Sequence, residues 1–140
     1  MPSVFSRIIG GELPGRFVWR DDLCAAFLTI APTAPGHTLV VPREEIDHWI
    51  DLPADLAAHL WAVSQLIGRA QQEAFSPRKV GLLVVGEEVP HAHIHLIPFR
   101  SLADMDLANA DPATDPARLD DAAERLRDAL RAAGHPEVDA

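Results

Sequence analysis

Apolar residues recur at intervals of three and four positions over two stretches of the chain, Pro53–Phe75 and Leu119–Ala133. This spacing gathers them on one face of a helix, so it predicts a long central helix and a C-terminal helix. Trp61 lies near the first apolar face and is expected in the core, and Gly134 is the expected stop of the second helix. The two faces consist of Leu56, Leu60, Val63, Ile67 and Ala70, and of Leu119, Ala122, Ala123, Leu126 and Leu130.

Short apolar and β-branched runs between turn residues predict strands. Asp21-Asp22 is the expected hairpin turn between the first two of them, and Ser3–Gly10 is a short helix that Ser3 would cap. A further strand is expected at the histidine-rich run His91–Pro98. The other predicted strands are Phe17–Arg20, Cys24–Ile30, Thr38–Val41 and Val80–Val85.

These elements indicate an α+β fold, with an antiparallel sheet of about five strands and one long helix. A short N-terminal helix and a C-terminal helix complete it. Residues 1–100 are expected to form the domain, and residues 101–140 an arm and helix within the same structural unit. Ser101–Pro116 is rich in Asp, Ala and Pro and is expected to be a linker or extended arm. The last helix would pack on the core or on a second subunit, and the final six residues are expected to fray.

Three histidines alternate with apolar residues in the run His91–Pro98, whose sequence is HAHIHLIP. Alternation is the period of a strand, and it would place the imidazoles of His91, His93 and His95 on one face. Pro90 and Pro98 bracket the run and argue against a helix.

Three interpretations of this face remain open. The outer Cα atoms would lie roughly 13 Å apart, too far for one ion to bind all three, although a neighbouring pair could share a metal with a distant ligand. Alternatively, the face is chemical: an imidazole in its neutral form can serve as nucleophile or base, and an imidazole in its protonated form can donate a hydrogen bond to phosphate. A solvated strand face is the third interpretation, and three histidines on one short face argue against it.

The formal net charge of −9 argues against binding to a nucleic-acid polymer or to an anionic membrane. A small phosphorylated substrate stays possible because a pocket can be locally positive. We find no charged and apolar leader and no long apolar span, so we expect a cytoplasmic protein without a signal peptide or membrane helix. Cys24 is the only cysteine and is expected to be a small buried residue.

The run from His91 to Ile97 resembles the signature of the histidine triad (HIT) superfamily: three histidines separated by apolar residues, then two apolar residues. Two further segments match in the right order, FLTIAP at residues 27–32 and PGHTLVVPR at residues 35–43. The resemblance covers about Val4 to Arg100 and is closest to the small hydrolase branch related to nucleoside phosphoramidases. It implies a HIT-like fold, a homodimer paired through the long helix and adjacent strand, and no cofactor.

The resemblance also implies catalytic roles. His93 would attack the α-phosphorus of a nucleotide conjugate to form a nucleotidyl-histidine, which water would then release as the nucleoside monophosphate. His95 would donate to a phosphoryl oxygen, and His91 would orient the pair. His37 matches a fourth family histidine at the edge of the site. Histidine at 95, where a transferase branch has glutamine, points to hydrolysis.

A purine nucleotide or nucleotide conjugate is the implied substrate. Phe5, Ile8, Phe27 and Ile30 match positions that sandwich the base, although without the resemblance all four would be assigned to the core. Thr29 stands where relatives usually carry an aspartate that holds both ribose hydroxyls, and its hydroxyl offers one such contact at best.

Other departures from the family pattern bear on the leaving group and on zinc. Glu87 and Glu88 replace the usual Gln-Ser/Thr after Gly86, and a carboxylate at 88 would favour a non-anionic leaving group. Ser3 and Ser6 stand in the region of two zinc-binding cysteines of bacterial relatives, and Glu45 replaces a further histidine ligand, so we expect no zinc.

Two functions remain open at this stage. The first is a nucleotide-conjugate hydrolase, and the second is a nucleotide-binding or regulatory protein of the same fold with little turnover. The departures at Thr29, Glu87 and Glu88 favour the second somewhat. The remaining histidines, His48, His59 and His135, match no family position and are expected on solvated surfaces or helix faces.

Overall fold

Five strands form one antiparallel sheet in the computed structural model, which describes residues 1–140. The strand order is β1-β2-β3-β5-β4, so β1 and β4 are the two edges. This arrangement confirms the predicted α+β fold with five strands. The strands are β1 (Phe17–Arg20), β2 (Cys24–Leu28), β3 (Thr38–Pro42), β4 (Lys79–Leu83) and β5 (Ile94–Phe99).

Three α-helices accompany the sheet: α1 (Val4–Ile9), α2 (Ala54–Phe75) and α3 (Pro116–Ala132). The Ser3 hydroxyl caps α1 by accepting a hydrogen bond from the Ser6 N–H. The α2 helix ends at Ser76, which adopts the left-handed conformation with φ of 46°. No helix has both the length and the apolar character that a bilayer crossing requires.

The two faces of the sheet are covered by different helices. One face packs against α2 and α3 through Val18, Ala26, Val40 and Leu96, which belong to the main core cluster. The opposite face carries a smaller cluster of Phe5, Phe27, Leu39 and Val41 beneath α1. Every residue of β2 and β3 is therefore buried, as expected for strands that are covered on both sides.

The histidine-rich strand is shorter than predicted. It begins at Ile94, because the ladder with β3 ends at the Val40–Ile94 pair. His91 and His93 therefore precede the strand, and the prediction that all three histidines lie within it is wrong. Their segment is held by loop contacts instead, since the Ala92 N–H donates to the Ile46 carbonyl over 2.7 Å.

Two other predictions are wrong. Trp61 is 55% exposed, because it lies beside the apolar face of α2 and not on it. The C-terminal residues do not fray: Pro136–Asp139 forms a 3₁₀ helix that buries Val138 in the main core. The α3 helix packs on the core through Leu126 and Leu130, both fully buried. The predicted arm before it contains two further 3₁₀ helices, Leu102–Met105 and Leu107–Asn109.

Candidate functional site

His95 is the one triad residue that the sheet itself places. It pairs with Leu39 across β3 and β5, and Leu39 pairs with Phe27 across β2 and β3. Side chains of directly paired residues lie on the same face, so His95 lies on the α1 face. The histidine site and the small apolar cluster thus share one side of the sheet, opposite α2.

The hydrogen bond of His93 defines its tautomer. Its Nδ1 lies 2.8 Å from the backbone carbonyl oxygen of His91. A carbonyl only accepts, so Nδ1 carries the proton and Nε2 keeps a free lone pair in the neutral ring. Burial lowers the pKa of His93 below the ordinary 6.5, with a further contribution from His91, although the bond to the carbonyl acts in the opposite direction. The ring is therefore neutral, with its nucleophilic nitrogen available, near pH 7.

His91 is fully buried, and both of its ring nitrogens are used. Nε2 lies 2.7 Å from the Pro42 carbonyl oxygen and must donate to it, whereas Nδ1 lies 2.6 Å from the Ser3 hydroxyl oxygen. With its proton on Nε2, the ring accepts a hydrogen bond from the Ser3 hydroxyl at Nδ1. These two hydrogen bonds hold the His91 side chain, and the His91 backbone carbonyl is the group that accepts from His93.

The α1 helix is attached to this loop by a small hydrogen-bond network. Glu45 accepts hydrogen bonds from the Ser3 backbone N–H and from the Ser6 hydroxyl, the latter over 2.8 Å. Those bonds lower the pKa of the Glu45 carboxyl below its ordinary value. The residues of this network, Ser3, Ser6, Glu45 and His91, do not match a structural zinc site, which uses cysteine and histidine. Two of them offer only serine hydroxyls, and both ring nitrogens of His91 already make hydrogen bonds.

A second pair of histidines lies beside the triad. The Thr33 N–H donates to His37 Nδ1 over 3.2 Å, and His37 Nε2 lies 2.9 Å from His95 Nδ1. Since His37 Nδ1 accepts, His37 Nε2 carries the proton and donates it to His95 Nδ1. The remaining His95 nitrogen, Nε2, is then protonated and can donate to a ligand.

Both rings of this pair are uncharged at neutral pH. Burial, together with the neighbouring rings of His95 and His93, lowers the pKa of His37 to about 3. Burial and His93 lower the pKa of His95 to about 4. His95 therefore offers a neutral N–H, and a phosphate bound there would receive a hydrogen bond without a formal positive charge.

Local packing explains how His37 reaches this position. Gly36 has a φ of 88°, and a Cβ at that residue would clash with the Phe75 ring, so the turn before His37 requires glycine. The buried Gln71 amide of α2 donates to the Gly36 carbonyl over 2.9 Å and to the Leu96 carbonyl over 3.0 Å. Gln71 therefore ties the His37 turn to β5 next to His95.

The four residues matched to base-binding positions differ in their burial. Phe5 and Phe27 are buried, with ring centroids 5.8 Å apart, and the Phe5 ring lies edge-on to His93 at 4.7 Å. Ile8 is half-buried against the same cluster. The core assignment of Ile30 is wrong, because this residue follows β2 and is 72% exposed.

The polar residues expected near the substrate lie outside this packed cluster. The Thr29 hydroxyl accepts a hydrogen bond from the Ala31 N–H over 3.2 Å. Glu87 and Glu88 are exposed in the loop after Gly86, whose φ of 72° makes the turn. The structure therefore places both carboxylates on a loop that leads into the triad, free of hydrogen bonds within the chain.

An apolar cavity of about 410 Å³ adjoins His93 on its other side. Exposed Trp49, Trp61 and Leu82 line it together with Ala92 and Ile94. Sequence reasoning missed Trp49 and Leu82, and it misassigned Trp61 to the core. The sequence already contained an indication that Trp61 is exposed, because position 61 lies off the regular apolar face of α2.

A family model described as HIT domain matches residues 10–102. A HIT-like protein of Synechococcus elongatus is 37% identical over 108 residues, which cover 72% of this chain and 93% of the relative. The purine nucleoside phosphoramidase of Escherichia coli is 34% identical over 109 residues, covering 74% and 92% respectively. A zinc-bound histidine triad family protein from Mycobacterium smegmatis superposes with a TM-score of 0.80 at 28% identity, covering 93% of this chain and 94% of that structure.

Proposed function

The chain belongs to the HIT family, and on that premise we propose that it hydrolyses nucleotide conjugates through a covalent nucleotidyl-histidine on His93. The substrates would be purine nucleoside phosphoramidates or related nucleoside phosphates. The single observation that carries the proposal is the hydrogen bond that His93 Nδ1–H donates to the His91 carbonyl oxygen. This hydrogen bond leaves Nε2 unprotonated in the neutral ring. The similarity to the purine nucleoside phosphoramidase of Escherichia coli supports the choice of a phosphorus–nitrogen bond.

The first step would form a bond from His93 Nε2 to the α-phosphorus and break the bond from phosphorus to the leaving group. The leaving nitrogen or oxygen takes a proton from solvent as it departs. The ring gains positive charge in this step, and the Nδ1–H bond to the His91 carbonyl stabilises that charge. Water then attacks phosphorus and loses a proton to solvent, the bond to Nε2 breaks, and the nucleoside monophosphate leaves the neutral ring.

His95 would act on the phosphoryl group in both steps. Its Nε2–H would donate to a non-bridging oxygen, whose charge grows in each transition state. His37 would act through His95, because its own N–H fixes the tautomer that makes this donation possible. Phe5 and Phe27 would line the base-binding side, and Ile8 would complete its apolar edge.

The test of the proposal is detection of the intermediate. The protein would be mixed with a panel of nucleotide conjugates, quenched without acid, and examined by intact and peptide mass spectrometry. We expect a nucleoside monophosphate adduct on His93 with at least one conjugate. Binding of a conjugate with neither adduct nor product would instead support the alternative function, a nucleotide-binding or regulatory protein with little turnover.

The lowered pKa of His93 predicts the acid limb of the pH–rate profile. A protonated ring cannot attack, so kcat/KM should fall as the pH falls through the pKa of the free enzyme. Because this pKa lies below 6.5, the limb should also lie below 6.5. The measurement is kcat/KM between roughly pH 4 and 9, with a substrate whose charge stays constant. A limb centred at or above 6.5 would contradict the assignment of this limb to the buried His93 ring.

Glu88 is proposed to select the leaving group. An exposed carboxylate on the loop before the triad repels an anionic pyrophosphate and tolerates an amine. Glu88→Ser should therefore raise kcat/KM for a diadenosine polyphosphate relative to a nucleoside phosphoramidate. The Glu73→Ser variant, which changes an exposed glutamate of α2, serves as the control for net charge. An unchanged ratio in Glu88→Ser would show that the side chain does not choose between leaving groups.

We also propose a homodimer paired through α2 and the edge strand β4. An unpaired edge strand and the exposed apolar side chains of Trp49, Trp61 and Leu82 support this surface. Sedimentation should give about twice the 15.2 kDa of the chain, and Leu82→Lys should shift the protein towards the monomer. Leu23→Lys is the matched control, because Leu23 is exposed in the β1–β2 hairpin at the opposite edge of the sheet. A wild-type monomer at micromolar concentration would exclude the dimer.

A further inference from the structure

Three side chains with metal-binding atoms converge where the turn between β1 and β2 meets α2. Asp21 lies in that turn, Cys24 begins β2, and His59 lies in the second turn of α2. The carboxylate oxygen, the thiol sulfur and the imidazole nitrogen all lie within 4.8 Å of one another. We propose that Asp21, Cys24 and His59 form a binding site for a divalent transition-metal ion, with zinc the best match.

Two of the spacings between the donor atoms can be compared directly with those of a tetrahedral site. Zinc bonds of about 2.0–2.3 Å place tetrahedral ligand atoms roughly 3.3–3.7 Å apart. Cys24 Sγ already lies 3.6 Å from Asp21 Oδ2. His59 Nε2 lies 2.7 Å from the same oxygen, so it must move outward by roughly 0.6 Å to admit the ion. The surface position of this ring on α2 allows that movement.

The carboxylate is held in the orientation that coordination requires. Asp21 Oδ1 accepts hydrogen bonds from the backbone N–H groups of Leu23 and Cys24, each over 2.8 Å. The indole N–H of Trp19 donates to Oδ2 over 2.8 Å, and this oxygen faces Cys24 and His59. Such supporting bonds orient metal-binding carboxylates in proteins. Although burial opposes it, these bonds and His59 lower the pKa of Asp21 to about 2, so the carboxylate is ionised.

Charge and donor type both favour a zinc-like ion. Binding would transfer the Cys24 thiol proton to solvent, so thiolate and carboxylate would balance the two positive charges of the ion beside a neutral imidazole. In the free protein, burial and Asp21 raise the pKa of Cys24, so the thiol keeps its proton until a metal displaces it. One sulfur, one nitrogen and one oxygen donor suit zinc or cobalt and do not suit magnesium or calcium.

The site has a path to solvent along which a fourth ligand would enter. The His59 side chain is 33% exposed and that of Asp21 is 17% exposed, whereas Cys24 is fully buried. Three protein ligands with a water in the fourth position is a known zinc arrangement. Cys24 belongs to the core cluster on the α2 side of the sheet, so this site lies across the sheet from His95 and does not depend on the proposed function.

The competing explanation is a hydrogen-bonded cluster without an ion. His59 and Cys24 would then simply donate to Asp21 and fasten α2 to the hairpin. The two explanations differ in one respect that can be measured, namely whether the sulfur of Cys24 bonds to a metal. Cys24 is the only cysteine of the chain, so any thiolate–metal signal must come from this site, even where the triad histidines also bind metal.

Cobalt titration of the metal-free, full-length chain tests the proposal. We expect a thiolate-to-cobalt charge-transfer band in the near ultraviolet that saturates at one ion per chain and disappears when zinc is added. Cys24→Ala should lose the band entirely. His59→Ala should weaken cobalt binding at least about 10-fold, the lower limit seen when only an outer-shell partner is lost. His48→Ala, which removes an exposed histidine outside the cluster, should leave band and affinity unchanged.

A thermal-unfolding measurement accompanies the titration and covers the case of a poorly folded variant. Zinc should raise the unfolding temperature of the wild type and of His48→Ala more than that of His59→Ala. The proposal is overturned if saturating cobalt gives no charge-transfer band in the folded wild type. It is also overturned if His59→Ala keeps both the band and the wild-type affinity.

Discussion

The His93→Ala variant is expected to lose turnover of nucleotide conjugates by at least on the order of 10³-fold while it still binds them, since removal of a nucleophile eliminates the covalent route. The base would contact Phe5 and Phe27, and the phosphate would contact His95, so most binding groups survive the substitution. The variant should form no adduct with conjugates that label the wild type. The measurements are single-turnover kinetics, intact mass after a rapid quench, and binding by calorimetry.

The control for this experiment is His48→Ala, which removes a histidine that is exposed near α2. It should keep both turnover and adduct. Equal activity in the wild type and His93→Ala would refute the mechanism, whatever the substrate. A wild type that binds conjugates but forms neither adduct nor product would leave the histidine geometry intact and reassign the protein to nucleotide binding.

The helices could be predicted because their apolar residues recur over a long stretch, and the strands because turn residues bound each short apolar run. Leu56, Leu60, Val63 and Ile67 follow the helical period through α2, and all four are buried. The alternation of histidine and apolar residues at His91–Pro98 did not predict where the strand begins. It identified a face for the three histidines, but the ladder with β3 starts only at Ile94, and hydrogen bonding between strands is not encoded in one strand's pattern.

The hydrogen bonds that give the histidines their tautomers were beyond sequence reasoning. Ser3 and His91 are 88 positions apart, and His37 and His95 are 58 positions apart. Each pair meets only because the sheet register and the N-terminal cap bring separate segments together. Residue types alone suggested a nucleophile and a donor. The free lone pair of His93 and the N–H of His95 follow from backbone groups, the His91 carbonyl and the Thr33 N–H.

The same limitation applies to Asp21, Cys24 and His59. Cys24 was correctly expected to be a small buried residue, and His59 to lie on a helix face. Their convergence depends on how α2 crosses the β1–β2 hairpin, a tertiary feature that joins positions 38 residues apart. An isolated cysteine and an isolated histidine carry no metal-binding spacing in the sequence, so the usual cysteine patterns could not reveal this site.

The other large effect is expected at His95. The His95→Ala variant should lose on the order of 10²–10³ in kcat, the usual cost of one donor to developing charge, and should be milder than His93→Ala. KM should change much less than kcat, because the donated bond strengthens mainly in the transition state. Adduct formation should be slowed but still detectable, which separates a phosphate donor from a nucleophile.

His37 is the residue that sets this donor, and the tautomer of His95 can be observed without any substrate. Nitrogen-15 NMR of the wild type near pH 7 should show His95 as the neutral tautomer protonated at Nε2, because the His37 Nε2–H donates to His95 Nδ1 across 2.9 Å. In His37→Ala that constraint is gone, so both neutral tautomers of His95 should be populated and kcat should fall by less than in His95→Ala. Thr33→Ala, which keeps the backbone donor to His37, should leave the tautomer of His95 unchanged. A wild-type His95 protonated at Nδ1 would show that His37 accepts in this pair, and the N–H donor assigned to His95 would then be wrong.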